Sequence, residues 1–344
     1  MKKPFISIII PCYNLQEYIQ SCLESVFAQT FQDYEVVLVD DGSTDASAKI
    51  VSQVLEASGR EHQVRLLTQN NGGVARARNL ALAEARGEWV LFLDGDDELE
   101  PDALEGLAAK ATEETDWVCA GRTLVDEEGR LLETVQLVPY AGTVDSWCAR
   151  MDTMQGMYVY LFHKLYRREL ILQNSIHFDE RLRVSEDLAF NLDYLQAVRH
   201  ITQVADASYR YRVRKGSLSH RVVMPSEHQN MDEHVEPFLA SFSAEEQQKL
   251  LSANPIFCHY LWKFGVVNVV EAGLLSGVPK LRLQTFLHSD WVKQLNEQVQ
   301  PQSTKDRLSL RHLKKGQLEE QGTLAKIQYQ WLPKTRLYQL LQKL

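Results

Sequence analysis

An α/β fold built on a mostly parallel sheet is predicted by three features of residues 1–125. Short runs rich in Val and Ile alternate with helical patterns, the runs are apolar at every position instead of every second one, and a polar cluster closes each of them. Strands that are apolar throughout suit a sheet covered on both faces. The order βαβαβαβ then implies parallel pairing with right-handed crossovers.

The elements follow in order. FISIII (5–10) reads as the first strand and LQEYIQSCLESVFAQ as the helix after it. YEVVLVD (34–40) precedes the helical DASAKIVSQVLEAS, QVRLLTQ (63–69) precedes GVARARNLALAEAR, and EWVLFLD (88–94) is the fourth strand. In such sheets ligands bind beyond the carboxyl ends of the strands. PCYN, DDGSTD, NNGGVARARN and DGDD all fall there. No GxGxxG follows the first strand, so a dinucleotide-binding domain is disfavoured.

Composition sets the surroundings. The 344 residues, 44% hydrophobic and 24% charged, suffice for a large core and suggest two domains or one with an appendage. No apolar run approaches the roughly 20 residues needed to span a bilayer. The opening MKKPFISIIIPCYN has proline and polar residues where a signal peptide needs a longer apolar stretch, so a cytoplasmic location is expected. Cys12, Cys22, Cys119, Cys148 and Cys258 are odd in number and lack CxxC spacing, which argues against a disulfide framework or zinc site. Reduced, mostly buried thiols are expected. Net charge is −9, yet from Lys305 onward nine Lys/Arg face three Asp/Glu, making a +6 tail on a −15 remainder.

The acidic stretch LFLDGDDELEP (91–101) carries most of the chemical signal. Like charges packed at a strand exit repel one another unless a positive group sits among them. Mg²⁺ or Mn²⁺ takes oxygen ligands, commonly one or two carboxylates plus substrate phosphates. Asp94 with Asp96 or Asp97, on a turn opened by Gly95, could hold such an ion against a diphosphate. The plain alternative is a solvated acidic turn leading into a helix at Pro101. The other clusters supply what a nucleotide diphosphate needs. Tyr13 can stack on a base and Asp41 can accept a base N–H or ribose hydroxyl. The glycines and arginines of NNGGVARARN bring backbone N–H groups, a helix N-terminus and the Arg76 and Arg78 guanidinium groups toward phosphate.

Taken together, ISIIIPCYN, EVVLVDDGSTD, NNGGVARARNLAL and GEWVLFLDGDDELEPDALE resemble family 2 glycosyltransferases of the GT-A fold, inverting enzymes that use nucleotide sugars. The likeness spans residues 4–110 and continues more loosely through FHKLYRREL, FDERLRVSEDLAF and SYRYRVRKGSLSH. It resembles bacterial, hexose-transferring enzymes that build capsular, lipopolysaccharide or teichoic-acid glycans. His163 departs from the Asn that relatives often carry before KLY. The resemblance implies that Pro11, Tyr13 and Asp41 surround the nucleobase and that Asn14 is among the nucleotide-sugar-binding residues. It further implies that Asn70, Gly73, Arg76, Arg78, Asp94, Gly95 and Asp96 bind the nucleotide sugar, and that Asp96 and Asp97 reach the metal. Asp187 of the SED segment becomes the general base, with Glu186 beside it on the acceptor side. Chemistry agrees, because inverting transfer needs a carboxylate to take the acceptor's proton and positive charge to steady the leaving diphosphate. Helix-start chemistry at Ser185 is the alternative for the acid pair.

RKGSLSH (214–220) adds Arg214, Lys215, Ser219 and His220, either a basic loop able to close over the diphosphate with His220 as a further metal ligand, or a surface loop whose histidine has no such part. From about residue 225 the pattern turns helical. IFCHYLWKFGVVNVVEAGLLSG reads as a core helix, since His259, Lys263 and Glu271 interrupt it. The expected organisation is a nucleotide-sugar-binding half (1–125), an acceptor-binding half (126–224) and a helical region (225–344).

The resulting expectation is a metal-dependent, Mn²⁺- or Mg²⁺-using inverting glycosyltransferase acting on a growing surface polysaccharide or lipid-linked glycan. A UDP-sugar is the expected donor, and no nucleic-acid partner is expected. A nucleotidyltransferase would carry a Gly-rich, basic loop where PCYN stands, and an inert glycan- or membrane-binding module would have no use for both acidic clusters. Oligomeric state is left open, a homo-oligomer included.

The segment LAKIQYQWLPKTRLYQLLQKL gathers Leu337, Leu340, Leu341 and Leu344 on one helical face among basic residues, suiting either a peripheral contact with the inner membrane face or packing on the protein. If it lies on membrane, deleting residues 328–344 should release the protein from anionic vesicles in co-sedimentation. Salt should weaken binding, because screening acts over about 10 Å at 0.1 M. Equal sedimentation with and without the segment would assign it to packing.

Overall fold

The computed structural model describes residues 3–151, 157–214, 227 and 230–326. Lys215, Ser219, His220 and the segment from residue 327 lie outside these. The chain divides into two compact units, one of residues 1–180 and 186–221, the other of residues 181–185 and 222–344.

The first unit contains β1 (Ile6–Cys12), α1 (Ile19–Phe27), β2 (Tyr34–Asp40), α2 (Ser47–Ser58), β3 (Val64–Thr68), α3 (Val74–Glu84), β4 (Trp89–Phe92), β5 (Glu98–Leu99) and α4 (Ala103–Ala108). It continues through β6 (Trp117–Cys119), β7 (Arg122–Val125), β8 (Leu131–Val135), β9 (Tyr140–Thr143), α5 (Val144–Cys148), β10 (Lys164–Arg167), α6 (Arg168–Gln173), α7 (Glu186–Leu195), β11 (His200–Gln203) and β12 (Tyr209–Arg212). Eight strands form the main sheet in the order β3-β2-β1-β4-β10-β6-β11-β9. The expected parallel part is present: β1 lies parallel between β2 and β4, and β2 parallel to β3. Ile8, Ile9, Ile10 and Val36 to Val39 are fully buried, as strands covered on both faces require. QVRLLTQ differs, because β3 is the sheet edge and its residues are half-buried or exposed. Beyond β4 the sheet becomes mixed, with β10 antiparallel to both β4 and β6.

Aromatic side chains fix the start of α7 against this sheet. Phe92 of β4 meets Tyr166, Phe178 and Phe190 edge-on, at centroid distances of 5.3, 5.3 and 5.5 Å, while Phe178 and Phe190 stack at 4.3 Å. Burying such a ring is worth roughly 1.5–3 kcal/mol, so the cluster holds the acid-bearing end of α7 firmly. Ser185, just before α7, has φ of 63° in place of the extended backbone expected of an N-cap.

A second sheet, in the order β5-β12-β7-β8, grows from the DGDD turn. Tyr209 and Arg210 of β12 pair antiparallel with Leu99 and Glu98, and β12 runs parallel to β7. The five cysteines are free and buried. Burial, with Asp40 near Cys12 and Asp145 near Cys148, pushes the Cys12, Cys119 and Cys148 thiols up to about 12.

In the second unit the described helices are α8 (Asp232–Ala240), α9 (Ala244–Ala253), α10 (Pro255–Trp262), α11 (Asn268–Ser276), α12 (Lys280–Leu287), α13 (Asp290–Gln298), α14 (Thr304–Lys314) and α15 (Leu318–Lys326). The apolar run is its core: α10 and α11 join through a π turn at Lys263–Val267, with Phe257, Leu261, Trp262, Val266 and Val270 fully buried. The polar interruptions are paired. Lys263 Nζ donates to Asp306 (3.1 Å), and buried Glu271 accepts from Gln321 (2.7 Å) and Lys305 (3.4 Å). Among the described residues, no helix is long and apolar enough to cross a membrane.

At Gly121 the backbone passes hard against β8 and the loop before β12. A Cβ there would strike the carbonyl of Val135 and come within 2.9 Å of that of Asp206, both backbone atoms that cannot swing away. Gly121→Ala should therefore lower stability by about 1–3 kcal/mol or more, read as a fall in Tm. An unchanged Tm would mean the backbone segments tolerate separation there.

Candidate active site

The four polar clusters meet at the carboxyl ends of β1 to β4. PCYN and DGSTD are stitched together: the Asn14 N–H donates to Ser43 Oγ (3.0 Å), and the Thr44 N–H donates to Asn14 Oδ1 (2.8 Å). Asn14 has φ of 52°, within the left-handed region that Asn tolerates, and Tyr13 beside it is 46% exposed. Pro11, on β1 opposite Val39, places its carbonyl 3.0 Å from where a Cβ on Gly95 would sit, so the DGDD turn passes against β1 only because position 95 is glycine.

Asp41 faces inward. Its carboxylate accepts from Gln69 Nε2 (2.7 Å) and from the N–H groups of Gly72 and Gly73 (2.8 Å each), and the side chain is buried. Those glycine N–H groups, expected to turn toward phosphate, are held by this internal carboxylate instead. Asn70 and Arg76 remain exposed on the loop and first turn of α3.

In the DGDD turn the acids have different environments. Asp97 is buried, accepting from the Tyr209 hydroxyl (2.7 Å) and the Arg212 N–H (2.8 Å). Burial, Asp96 and Asp94 push its carboxyl well above the usual range. With an oxygen committed to each donor, Asp97 braces the turn, which differs from the expectation of an open metal ligand. Asp96 accepts from Arg214 Nε (2.6 Å). Burial and the neighbouring Asp94 raise its carboxyl, while Arg214 offsets part of that.

Asp94 leads to the second acidic cluster. Arg78 was expected at phosphate, but its side chain is only 4% exposed and sits among carboxylates. Nη2 donates to Asp94 (2.8 Å), and Nη1 donates to both Glu186 (3.0 Å) and Asp187 (2.8 Å). The guanidinium also lies 5.4 Å above the Phe178 ring. Helical geometry explains the split between the arginines: residues two apart point about 200° apart, so Arg76 faces outward when Arg78 shares the buried face of Ala75, Ala81 and Leu82. The Asp187 side chain keeps 25% of its exposure. Burial and Glu186 push its carboxyl well up, with Arg78 opposing them.

Sequence reasoning missed Tyr209, Arg212 and Lys164. The Tyr209 hydroxyl, besides bonding Asp97, accepts from the Asp94 N–H (3.3 Å). Arg212 also reaches Glu98 and the carbonyls of Asp96 and Glu127, and both Arg212 and Arg214 lie over the Tyr18 ring. Alternation in ASYRYRV was the available signal, since Tyr209 and Arg212 bracket a strand beside the turn. Lys164 is buried near Asp187, and burial lowers its ammonium to about 8.

Among the described residues, no group of three His, Cys, Asp or Glu side chains could hold a metal ion. A hard cation sharing the Asp96 carboxylate with diphosphate oxygens would take the place that Arg214 holds here.

The family described as Glycosyl transferase family 2 matches residues 7–174. The uncharacterized glycosyltransferase EpsJ of Bacillus subtilis is 31% identical over 68% of this chain and 67% of its own length. The chain belongs to glycosyl transferase family 2. Another member, the poly(ribitol-phosphate) β-N-acetylglucosaminyltransferase TarS of Staphylococcus aureus, is 34% identical over 61% of this chain but only 35% of its own length. A crystal structure of residues 1–349 of TarS in complex with UDP-GlcNAc superposes with a TM-score of 0.67 at 23% identity, covering 95% of this chain and 92% of that one. The mannosyltransferase PcManGT of Pyrobaculum calidifontis, in complex with GDP-Man and Mn²⁺, gives 0.53 at 17% identity, covering 97% and 89%. The fold of this family 2 glycosyltransferase is therefore GT-A, a large central sheet flanked by helices with a helical C-terminal region.

Asp41 supplies a prediction. Asp41→Ala strands the Gly72 and Gly73 N–H groups, each costing about 1–3 kcal/mol if left buried and unpaired. Tm should fall, and amide exchange should quicken at residues 70–74. Unchanged exchange would show that Asp41 does not hold the loop.

Proposed function

We propose that this glycosyltransferase is an inverting enzyme that transfers a sugar from a UDP-sugar to a hydroxyl of a growing cell-surface polysaccharide or lipid-linked glycan. One observation carries the reading: the turn after β4 and the start of α7 meet at Arg78, so a carboxylate on the donor side and an acid pair lie across one guanidinium. TarS, bound to UDP-GlcNAc, supports the donor class. The poly(ribitol-phosphate) acceptor of TarS supports a polymeric acceptor.

In this reading Tyr13, Pro11 and Asn14 flank the base, the loop of Asn70, Gly73 and Arg76 borders the nucleotide, and Asp94 meets the sugar. Asp187 accepts the proton of the acceptor hydroxyl as its oxygen attacks the anomeric carbon. The bond from that carbon to the diphosphate breaks on the opposite face, and the diphosphate leaves with the bonding electrons. A carboxyl raised by burial is a stronger base once ionised, which suits the task. Asp96 would hold Mn²⁺ or Mg²⁺, whose charge would steady the departing diphosphate. The protein works in the cytoplasm, with the basic C-terminal segment as its contact with the inner membrane face.

Calorimetric titration with UDP and Mn²⁺, paired with a transfer assay, tests both acids. Asp96→Ala should lose Mn²⁺-dependent UDP binding with its Tm kept. Asp187→Asn should bind UDP as wild type and transfer about 10²–10⁴-fold more slowly. Wild-type metal-dependent binding in the first variant would remove Asp96 as ligand, and an active second variant would end the base assignment.

A further inference from the structure

Arg78 holds more than the donor side of the site. It is the one cation within hydrogen-bonding distance of Asp94, Glu186 and Asp187 among the described residues, and its Nε is buried there without a partner. Glu186 and Asp187 are adjacent on the first turn of α7, where neighbouring carboxylates repel and one tends to take up a proton. The groups that bear on Asp187 are Glu186 on its own helix, Arg78 from α3, Asp94 after β4 and Lys164 from β10. Arg78 alone both bonds Asp187 and reaches across to the donor-side turn.

We propose that Arg78 is a positioning residue that keeps the Asp187 carboxylate aimed, using Asp94 as the fixed anchor for its other nitrogen. The inference rests on Asp187 being the general base. A planar fork can share one nitrogen between two acids while the second nitrogen stays on a third, whereas the single ammonium of lysine on a flexible stem cannot keep that arrangement. The Phe178 ring under the guanidinium limits its tilt. Because Asp94 follows directly from β4, the base is registered against the same strand end that receives the donor. Its aim is thus set by a side chain from a different helix.

The test is a double-mutant cycle of Arg78→Lys with Asp187→Asn, with kcat, UDP affinity and Tm measured for each protein. Arg78→Lys should lower kcat about 10- to 100-fold and move UDP affinity less than about threefold, and on the Asp187→Asn background it should cost less than about twofold in kcat. A purely structural arginine would lower Tm and cost the same in both backgrounds, and equal costs would overturn the proposal. If Arg78→Lys melts below assay temperature, Arg78→Gln/Glu186→Gln keeps the charge balance of the cluster and should show the same kcat loss with UDP binding retained. Wild-type kcat in that variant would also overturn it. Full turnover in Asp187→Asn itself would instead remove the base reading, so the two failures are distinguishable.

Discussion

The site depends on a single buried charge. Three carboxylates from two distant stretches of chain converge on the Arg78 fork, the one cation that bonds all three among the described residues. Removing one partner from a buried ionic cluster leaves uncompensated charge, which costs far more than an exposed pair contributes. The surrounding structure serves that fork. Phe178 lies beneath it, the stacked Phe178 and Phe190 rings fix α7 beside β4, and the small residues Ala75, Ala77 and Ala81 let α3 settle close enough for Arg78 to reach.

A second brace acts on the other side of the DGDD turn. Tyr209 joins the Asp94 N–H to the Asp97 carboxylate, and Arg212 closes over Glu98 and the Asp96 carbonyl. The small sheet thereby works as a clamp: β12 is held by β5 on one side and β7 on the other, so strands reinforce a turn of three acids that its own Asp97 N–H to Asp94 carbonyl bond closes. Asp96 is left as the acid of the turn whose partner, Arg214, comes from beyond the strand.

Much of the first unit was legible because burial on both faces writes itself directly into composition: β1, β2 and β4 read as unbroken apolar runs, and α1 to α3 show their periods. The reversal at β10 was not legible, since KLYR looks the same whichever way the strand runs, and its direction is set by pairing with β4 and β6. The site was legible in location but less so in roles. A carboxylate facing a ligand and one facing its own loop look alike in one dimension, so Asp41 and Asp97 read as binding groups although each is spent on backbone N–H donors. The grouping of Arg76 with Arg78 overlooked that alternate helix positions face opposite ways. The paired acids of α7 were found through motif likeness, because nothing local distinguishes them from ordinary helix-start chemistry.

The thiols carry a practical consequence. Each of the five cysteines is enclosed, and burial keeps Cys12, Cys22, Cys119 and Cys148 protonated at neutral pH, the state that reacts poorly with maleimides and oxidants. A single cysteine engineered onto the exposed rim, at Tyr13 for example, would stand out against this quiet background. The native chain thus needs no prior stripping of its sulfur before a fluorophore or spin label is attached at that rim.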